Sequence, residues 1–561
     1  MSILSRTEPE SLRLPSLRVP LVWVLLSLIA GYTLATTVIT PVYHKPLAYA
    51  LVALAAAVTC IAVSGSRAWL PLLILSIIAF GVSRWQMQDA PEPAEWADLP
   101  ARDALLEIHV EQTFRSLALP ERAMGLGRVM ATAHAPSAEL EGCRVYYSLA
   151  PCSEGRPVRW GERVKARGVV EFRASTEPRD GFDTYLDARR VSATLRRGAV
   201  LEHMGSASWH TAFGNAANER LTLILLAGSE DKEHPYGRVF AAMLLGQKWM
   251  LGPDLRTAFV RTGTMHLFAV SGLHVAAVAL TLVLALQLMR APPRAAAVTG
   301  LTLLFGYVLA VGAPPSAVRA FSMVAFYWAA NAFLRQREPL AALVASAVAV
   351  LLWDPRQLFA VGFQLSYAVV GSILLIGLPL SVHLRDAINL GRFMPEDLHP
   401  AWVAPTAAAL RWTATAFSIS LAASLGSMPL IIAYFDLFTP GALLLNLALI
   451  PAASLAVVNG VISAAVGLAG LEGLSAFLNR GSWTVLAVML WMVETALRVP
   501  GFYFNMEWRT GAMPFVTVGA ILSSGVIIRF RPLSATPWRF ALPPAVFLAL
   551  LMFGASGIPP D

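Results

Sequence analysis

The chain has 561 residues, of which 56% are hydrophobic and 14% are charged, and its formal net charge is +8. Soluble domains average about 45–50% apolar and about 25% charged residues, so an ordinary water-soluble enzyme is excluded. The three cysteines exclude a disulfide-rich scaffold, an iron–sulfur carrier and a cysteine-rich zinc module.

The N-terminal part of the sequence predicts three membrane-spanning helices. Apolar runs cover residues 21–43, 47–63 and 68–85, and about 20 apolar residues cross a hydrocarbon layer of ~30 Å. The first run is too long for the core of a cleavable signal and has no clear small-residue cleavage site. We therefore assign residues 1–85 to a three-span membrane segment.

The composition changes abruptly after this segment. Residues 86–210 are rich in charges and contain short alternating runs at 105–110, 143–149, 163–170 and 191–195, separated by glycine and proline clusters. This pattern predicts a small β barrel or sandwich. From residue 156 to residue 197, eleven Lys and Arg side chains accompany six Asp and Glu side chains, which makes the domain basic.

The remainder is predicted to be mostly membrane-embedded. Residues 211–256 contain two amphipathic stretches that we place on the membrane surface or on the helix bundle. Residues 257–530 form a multi-span core, and residues 531–561 add a last span and a short tail. Candidate spans cover 265–289, 295–312, 316–334, 340–353, 358–382, 406–433, 441–470, 483–497, 513–529 and 541–555. Pro451 and several glycines leave the run at 441–470 open to two readings, one span or two half-helices.

The predicted fold class is a polytopic α-helical membrane protein of about 11–13 spans, with one small exported β domain between the third and fourth spans. Arginines set the orientation, because cytoplasmic loops carry an excess of Lys and Arg. With the N-terminus in the cytoplasm, the inner loops collect most of them, including Arg67, Arg335 and Arg385. This orientation places residues 86–210 outside the cytoplasmic membrane.

Polar side chains inside the predicted spans are the candidate functional residues, because a charge there costs about 2–4 kcal/mol. His266 and His274 lie about 80° apart around a helix, across a break at Ser271–Gly272. They either line a hydrated path or are satisfied by backbone and neighbouring helices. Arg319 suits phosphate recognition, but it equally suits pairing with an acid or a helix C-terminus.

No metal site, cofactor or catalytic residue is predicted. The ten histidines form no His-x-His or His-Glu-x-x-His pattern, and no phosphate-binding Walker A loop is present. Cys143 and Cys152, in the exported region, either form a disulfide or remain two thiols.

Four segments, in order along the chain, carry motifs of a known family. They are Ala242–Gly246 with Thr264–Val275, Gly312–Ala320, Asp354–Pro355 through Gly362–Tyr367, and Ser427–Leu430 with Asn446, Leu447 and Pro451. Together they resemble the competence-domain signature of the ComEC family, the inner-membrane DNA-uptake channels of naturally transformable bacteria. The exported region, which ends in Gly181–Asp187, looks like that family's N-terminal domain of OB type. The resemblance covers roughly residues 20 to 530.

The resemblance implies a channel that takes single-stranded DNA into the cytoplasm during natural transformation. A polyanion needs a hydrated path through lipid, and we expect the following residues to line or gate it: His266, Ser271, Gly272, His274, Arg319, Gln364 and Asn446. Arg163, Lys165, Arg167 and Arg173 are the expected DNA contacts of the exported domain. The alternative for these four is an ordinary solvated surface.

Many family members also end in a metallo-β-lactamase-like domain proposed to degrade one strand. Its His-x-His-x-Asp-His run is missing from this sequence, so we expect no strand degradation by this polypeptide, and a separate nuclease stays open as a partner. Expected partners are single-stranded DNA, the lipid bilayer, a surface DNA receptor, and a cytosolic helicase or single-strand-binding proteins. A homo-oligomer is also open.

Two alternative functions remain. One is a small-solute transporter or membrane enzyme, which is weakened because Glu494 is the one acid placed deep in a predicted span. The other is a nuclease-less scaffold of the uptake machinery.

Overall fold

The computed structural model describes residues 20–39, 45–62, 68–88, 100–114, 122–132, 140–151, 156–173, 181–205, 208–228, 235–332, 338–390, 400–530 and 537–557. The helices in these ranges are α1 (Pro20–Leu34), α2 (Pro46–Ala62), α3 (Trp69–Gln88), α4 (Gly181–Ala188), α5 (Trp209–Leu226), α6 (Pro235–Leu245), α7 (Pro253–Arg261), α8 (Gly272–Leu288), α9 (Pro293–Ala310), α10 (Pro315–Ala332), α11 (Pro339–Trp353), α12 (Val361–Ser372), α13 (Leu378–Ala387), α14 (Val403–Phe435), α15 (Ala442–Leu468), α16 (Glu472–Leu497), α17 (Met513–Phe530) and α18 (Leu542–Gly554). The strands are β1 (Arg102–Phe114), β2 (Ala123–Thr132), β3 (Arg144–Ala150), β4 (Arg163–Phe172), β5 (Val191–Gly205), β6 (Leu437–Phe438), β7 (Phe504–Trp508) and β8 (Ala555–Gly557).

The chain is a polytopic helical membrane protein with a small β domain. Within the described ranges, eight helices are long and apolar enough to cross a membrane, and four shorter helices are also apolar. The eight span candidates are Leu21–Val38, Trp69–Gln88, Pro293–Ala310, Val361–Ala387, Val403–Phe435, Ala442–Leu468, Glu472–Leu497 and Met513–Phe530. A π-helical turn joins α12 and α13 into one of these.

The predicted three N-terminal helices are present as α1, α2 and α3. The helix α3 packs against both α1 and α2, and α1 also packs on α11. Tyr32 is fully buried in this contact, and its hydroxyl donates to the carbonyl of Leu351 at 3.0 Å. The N-terminal segment is thereby joined to the rest of the bundle through α11.

The β domain is a ring of five strands in the order β1-β2-β3-β5-β4, in which β4 pairs again with β1. All pairs are antiparallel except β3 with β5. Alternating side chains explain the strands, since Val145, Tyr147 and Leu149 of β3 point into the ring and are fully buried. The sequence analysis missed β2, whose Gly125 and Gly127 interrupt the apolar alternation.

The largest hydrophobic core joins α6, α8, α15 and α16. Phe240, Val275, Leu449 and Leu486 are at most 1% exposed in it. The helices α5 and α6 occupy part of the segment 211–256, which we predicted to lie on the membrane surface or on the bundle. Every described side chain from Val239 to Leu245 is buried, because α6 is enclosed by α5 and α16.

The helix α15 is continuous from Ala442 to Leu468 with Pro451 inside it. The alternative of two half-helices is therefore wrong. Ala453, Ala456 and Gly460 follow the proline on one face, and small residues there let α15 pack closely enough on its neighbours to support the helix.

Candidate functional site

Four helices begin at the same end of the bundle, the end that carries the β domain. They are α8, α10, α12 and α15. The hydroxyl of Ser316, in the first turn of α10, donates to the carbonyl of Val270 just before α8 at 2.6 Å. Gly263, in the loop before α8, adjoins Ala442, the first residue of α15. Helix N-termini expose unpaired N–H groups and a partial positive charge, so this end of the bundle favours negatively charged groups.

Arg319 joins two of these helix starts. It is 4% exposed, and its Nη2 donates to the carbonyl of Gly362 at 2.8 Å and to the hydroxyl of Ser366 at 3.0 Å. Within the described ranges, its hydrogen-bond acceptors are on α12 and include no carboxylate. Among the described residues, no acid neutralises the guanidinium charge and no helix C-terminus contacts it.

Gly362 and Ser366 belong to the third family motif, Gly362–Tyr367, but the sequence alone assigns them no role. A Cβ at Gly362 would lie 3.1 Å from Nη2 of Arg319, so a larger residue would crowd the guanidinium. A buried arginine in an apolar segment requires hydrogen-bond acceptors. The presence of Arg319 in such a segment therefore indicates that another helix supplies acceptor groups. The sequence does not say which helix supplies them.

His274 and Ser271 cap the start of α8. The backbone N–H of Ser271 donates to Nδ1 of His274 at 3.4 Å, and the Ser271 hydroxyl lies 3.0 Å from the same nitrogen. Because Nδ1 accepts, the neutral ring carries its proton on Nε2. His274 is 0% exposed, and its Nε2 has no partner among the described residues.

The remaining predicted path residues lie close by but have different contacts. His266 lies in a short 3₁₀ turn, bonds the Gly263 carbonyl through Nδ1 at 3.2 Å, and interacts electrostatically with His274. Gln364 on α12 donates to the Leu358 carbonyl at 3.0 Å. Its Oε1 accepts a 2.7 Å bond from Tyr434 of α14.

Gly272 and Asn446 complete the predicted set. A Cβ at Gly272 would be 3.9 Å from Ala320, so the first turn of α8 packs on α10. Asn446 lies one turn before the buried Leu449, on the face of α15 that enters the large core, and its buried Oδ1 has no partner in the part of the chain that the structure describes. The structure thus directly connects Ser271 with His274, and Arg319 with α12, but it shows no hydrogen bond between these two groups.

A cavity of about 340 Å³ lies among α8, α10, α11 and α12. Its lining is apolar, with Leu280, Val324, Trp328 and Leu343 among the side chains that form it. A phosphate would find no charged partner in this lining, so this cavity is not the hydrated path that the sequence analysis predicts.

Three of the four basic residues that the sequence predicts to contact DNA, all of them in the β domain, have acidic neighbours. Arg173 is held by Asp183 at 2.8 Å and Asp187 at 3.2 Å, and Arg167 lies 3.6 Å from Asp103. Lys165 is in register with Glu107 of β1 and Glu202 of β5. Arg163 is in register with His109 and Gly205 instead.

Cys143 lies directly before β3, whereas Cys152 lies outside the described residues, so the disulfide stays a prediction. In the part of the chain that is described, no three His, Cys, Asp or Glu side chains come together as a candidate metal site.

A family model described as "Competence protein" matches residues 243–531, just over half of the chain. The chain belongs to the competence-protein family. The match starts in α6 and ends after α17, so it contains Arg319, His274 and the four helix starts. It begins after the β domain. The resemblance to the ComEC family is confirmed by this match.

This competence-family chain is also similar to ComE operon protein 3 of Bacillus subtilis (strain 168), with 26% identity over 225 residues. The similar region is 40% of this chain and 26% of that relative. The match therefore spans about a quarter of the curated relative. No solved structure matches the chain.

Proposed function

We propose that this protein is an inner-membrane channel that carries single-stranded DNA into the cytoplasm during natural transformation. The observation that carries the proposal is Arg319, a buried guanidinium with no carboxylate partner among the described residues. It lies inside the family-matched bundle, at the end where four helices begin. A fixed positive charge beside helix N-termini suits passing phosphates. The membership of the competence family supports DNA as the transported polymer.

The energetics define what the protein supplies and what it needs. A phosphate costs several kcal/mol in lipid, so a polar route is required. A membrane potential that is negative inside opposes anion entry by about 2.3 kcal/mol per charge per 100 mV. We propose that the protein provides the route and is not an enzyme. A cytosolic helicase or single-strand-binding proteins then pull or trap the strand, and a surface receptor delivers it.

We propose that the β domain is exported and OB-like. The support is its strand order, in which β1 pairs with both β2 and β4 and β3 runs parallel to β5. This strand order supports a five-stranded Greek-key barrel of the kind that binds oligonucleotides.

Import of fluorescent DNA tests the proposed function. Cells that lack the gene are expected to hold labelled DNA at the surface or in the periplasm, with none in the cytoplasm. A wild-type copy restores import, and an Arg319→Ala copy present at the same membrane level does not. Normal import by the deletion strain would contradict the proposal and favour a solute transporter or another membrane role. If the deletion strain loses import, and the wild-type and Arg319→Ala copies restore it equally, the result would favour a scaffold.

A further inference from the structure

Aromatic side chains cover one outer face of the β domain. The helix α4 lies on β2 and β3, where Leu186 packs on Leu126. Phe182 of α4 is 46% exposed and stacks on Tyr185, with ring centroids 6.2 Å apart and an interplanar angle of 17°. Tyr146 of β3 meets Phe182 edge-on at 5.3 Å. The exposed aromatic group is therefore held in place by its neighbours.

Arginines continue from this aromatic group. The guanidinium of Arg189 lies 5.3 Å from the ring centre of Tyr185, and Arg144 donates to the Arg189 carbonyl at 3.2 Å. Arg144 and its cross-strand partner Arg128 both pair with Glu111, at 2.7 and 3.1 Å. One carboxylate therefore serves two guanidinium groups, which leaves this part of the face positive.

The positive charge then reaches the membrane bundle. Arg190 and Arg356 both donate to the carbonyl of Gln88, at 3.3 and 2.6 Å. Burial, together with the nearby charge of Arg356, lowers the pKa of Arg190 to about 10. Arg356 lies in the 3₁₀ turn directly before α12, whose second residue, Gly362, binds Arg319.

We propose that this continuous strip binds single-stranded nucleic acid and leads it from the β domain to the start of α12. The strip consists of Phe182, Tyr185, Arg189, Arg144, Arg190 and Arg356. This inference rests on the proposed function, and it adds to that function a binding surface other than β4, where the sequence analysis placed the DNA contacts.

The chemistry of the strip selects the ligand. Bases stack on exposed aromatic rings with about 1–3 kcal/mol each, and arginines contact the phosphates between them. In duplex DNA the base faces are stacked on one another, so the aromatic group has no surface to bind. An anionic polymer without bases would contact the arginines alone.

The test uses the full-length protein in detergent and two fluorescent probes, an oligodeoxythymidylate and an abasic oligonucleotide of equal length. Fluorescence anisotropy gives Kd as a function of salt. Phe182→Ala is expected to weaken oligodeoxythymidylate binding about tenfold, as loss of one stacked base predicts, and to leave abasic binding unchanged. Phe182→Trp retains tight binding. Arg189→Gln is expected to lower the slope of log K against log salt by about 0.7, the value for one phosphate contact on a single strand.

Arg196→Gln and Arg197→Gln are the matched controls, because each removes one positive charge from an exposed position of β5 that belongs neither to the strip nor to the contacts expected on β4. They are expected to bind as the wild type does. The proposal is overturned if Phe182→Ala and Arg189→Gln both bind the oligodeoxythymidylate as the wild type does. It is also overturned if Phe182→Ala loses affinity for the two probes equally. If these binding results appear while the deletion strain still imports DNA, the strip stands as a binding surface and the proposed channel function fails.

Discussion

Buried polar groups in apolar helices are the residues from which the function is inferred. The sequence identifies Arg319 and His274, because a charged or imidazole side chain in an apolar run needs a reason. It does not identify Gly362 and Ser366 as the partners of Arg319. Those partners lie on another helix, and the rotation and register of two helices depend on packing along their whole length.

Arg319 is expected to require its guanidinium and not its charge alone. Arg319→Lys keeps the charge, but an ammonium group cannot reproduce the contacts that Nε and Nη2 make with α12. We expect DNA import to fall at least tenfold with an unchanged membrane level. Ser322→Ala is the control, because the Ser322 hydroxyl bonds only the Arg319 carbonyl within α10 among its described contacts. Normal import by Arg319→Lys would contradict the role of the guanidinium.

A substitution at His274 distinguishes its role in capping α8 from a role of its buried Nε2–H group as a hydrogen-bond donor. His274→Asn keeps an acceptor near the position of Nδ1 and removes the Nε2–H group. We expect import to fall with little change in thermal stability in detergent. Ser271→Ala, by contrast, loses the cap of α8 and is expected to cost about 1 kcal/mol of stability. If His274→Asn imports DNA normally, the Nε2–H group of His274 has no role in the path.

At the scale of elements, the sequence predicts helices better than strands. Runs of apolar residues give α1, α2 and α3 directly, because membrane helices need little beyond length and composition. The strand β2 was missed because Gly125 and Gly127 carry no side chain at inward positions. Both glycines adjoin the ring of Tyr147 on the neighbouring strand β3. That ring fills the space that the glycines leave, and the local sequence of β2 gives no indication of this contact.

The contact between α12 and α14 depends on one glycine. A Cβ at Gly426 would lie 2.7 Å from the Ser372 hydroxyl and 2.8 Å from the Ala368 carbonyl. Gly426→Ala is therefore expected to destabilise the protein by about 1–3 kcal/mol, since the two helices must separate. Gly519→Ala on α17 is the matched control, because nothing lies within 4 Å of its Cβ. Thermal unfolding in detergent measures both, and equal stabilities would contradict the packing described for α12 and α14.

At the scale of the molecule, the sequence predicts the order of the parts, namely three helices, a β domain and a long helical bundle. It predicts less well how the bundle is assembled. The enclosed position of α6 and the continuity of α15 both follow from contacts with helices distant in sequence, whereas local polarity and Pro451 suggested other arrangements.

Orientation is tested by labelling single cysteines in a variant that lacks the three native ones. Lys165→Cys, on the β domain, is expected to react with a membrane-impermeant maleimide once the outer membrane is opened. Arg480 lies near the start of α16, at the opposite end of the bundle. A cysteine introduced there by Arg480→Cys is expected to react only after the inner membrane is broken. The reverse pattern would contradict an exported β domain.

The central claim is that the helices admit a single strand of DNA. Proteoliposomes that contain the full-length protein and an enclosed single-strand-binding protein, which traps the incoming strand, test it most directly. An external fluorescent oligonucleotide is expected to become protected from added nuclease with the wild-type protein, and not with Arg319→Ala or in protein-free liposomes. Protection no greater than in protein-free liposomes would contradict the claim.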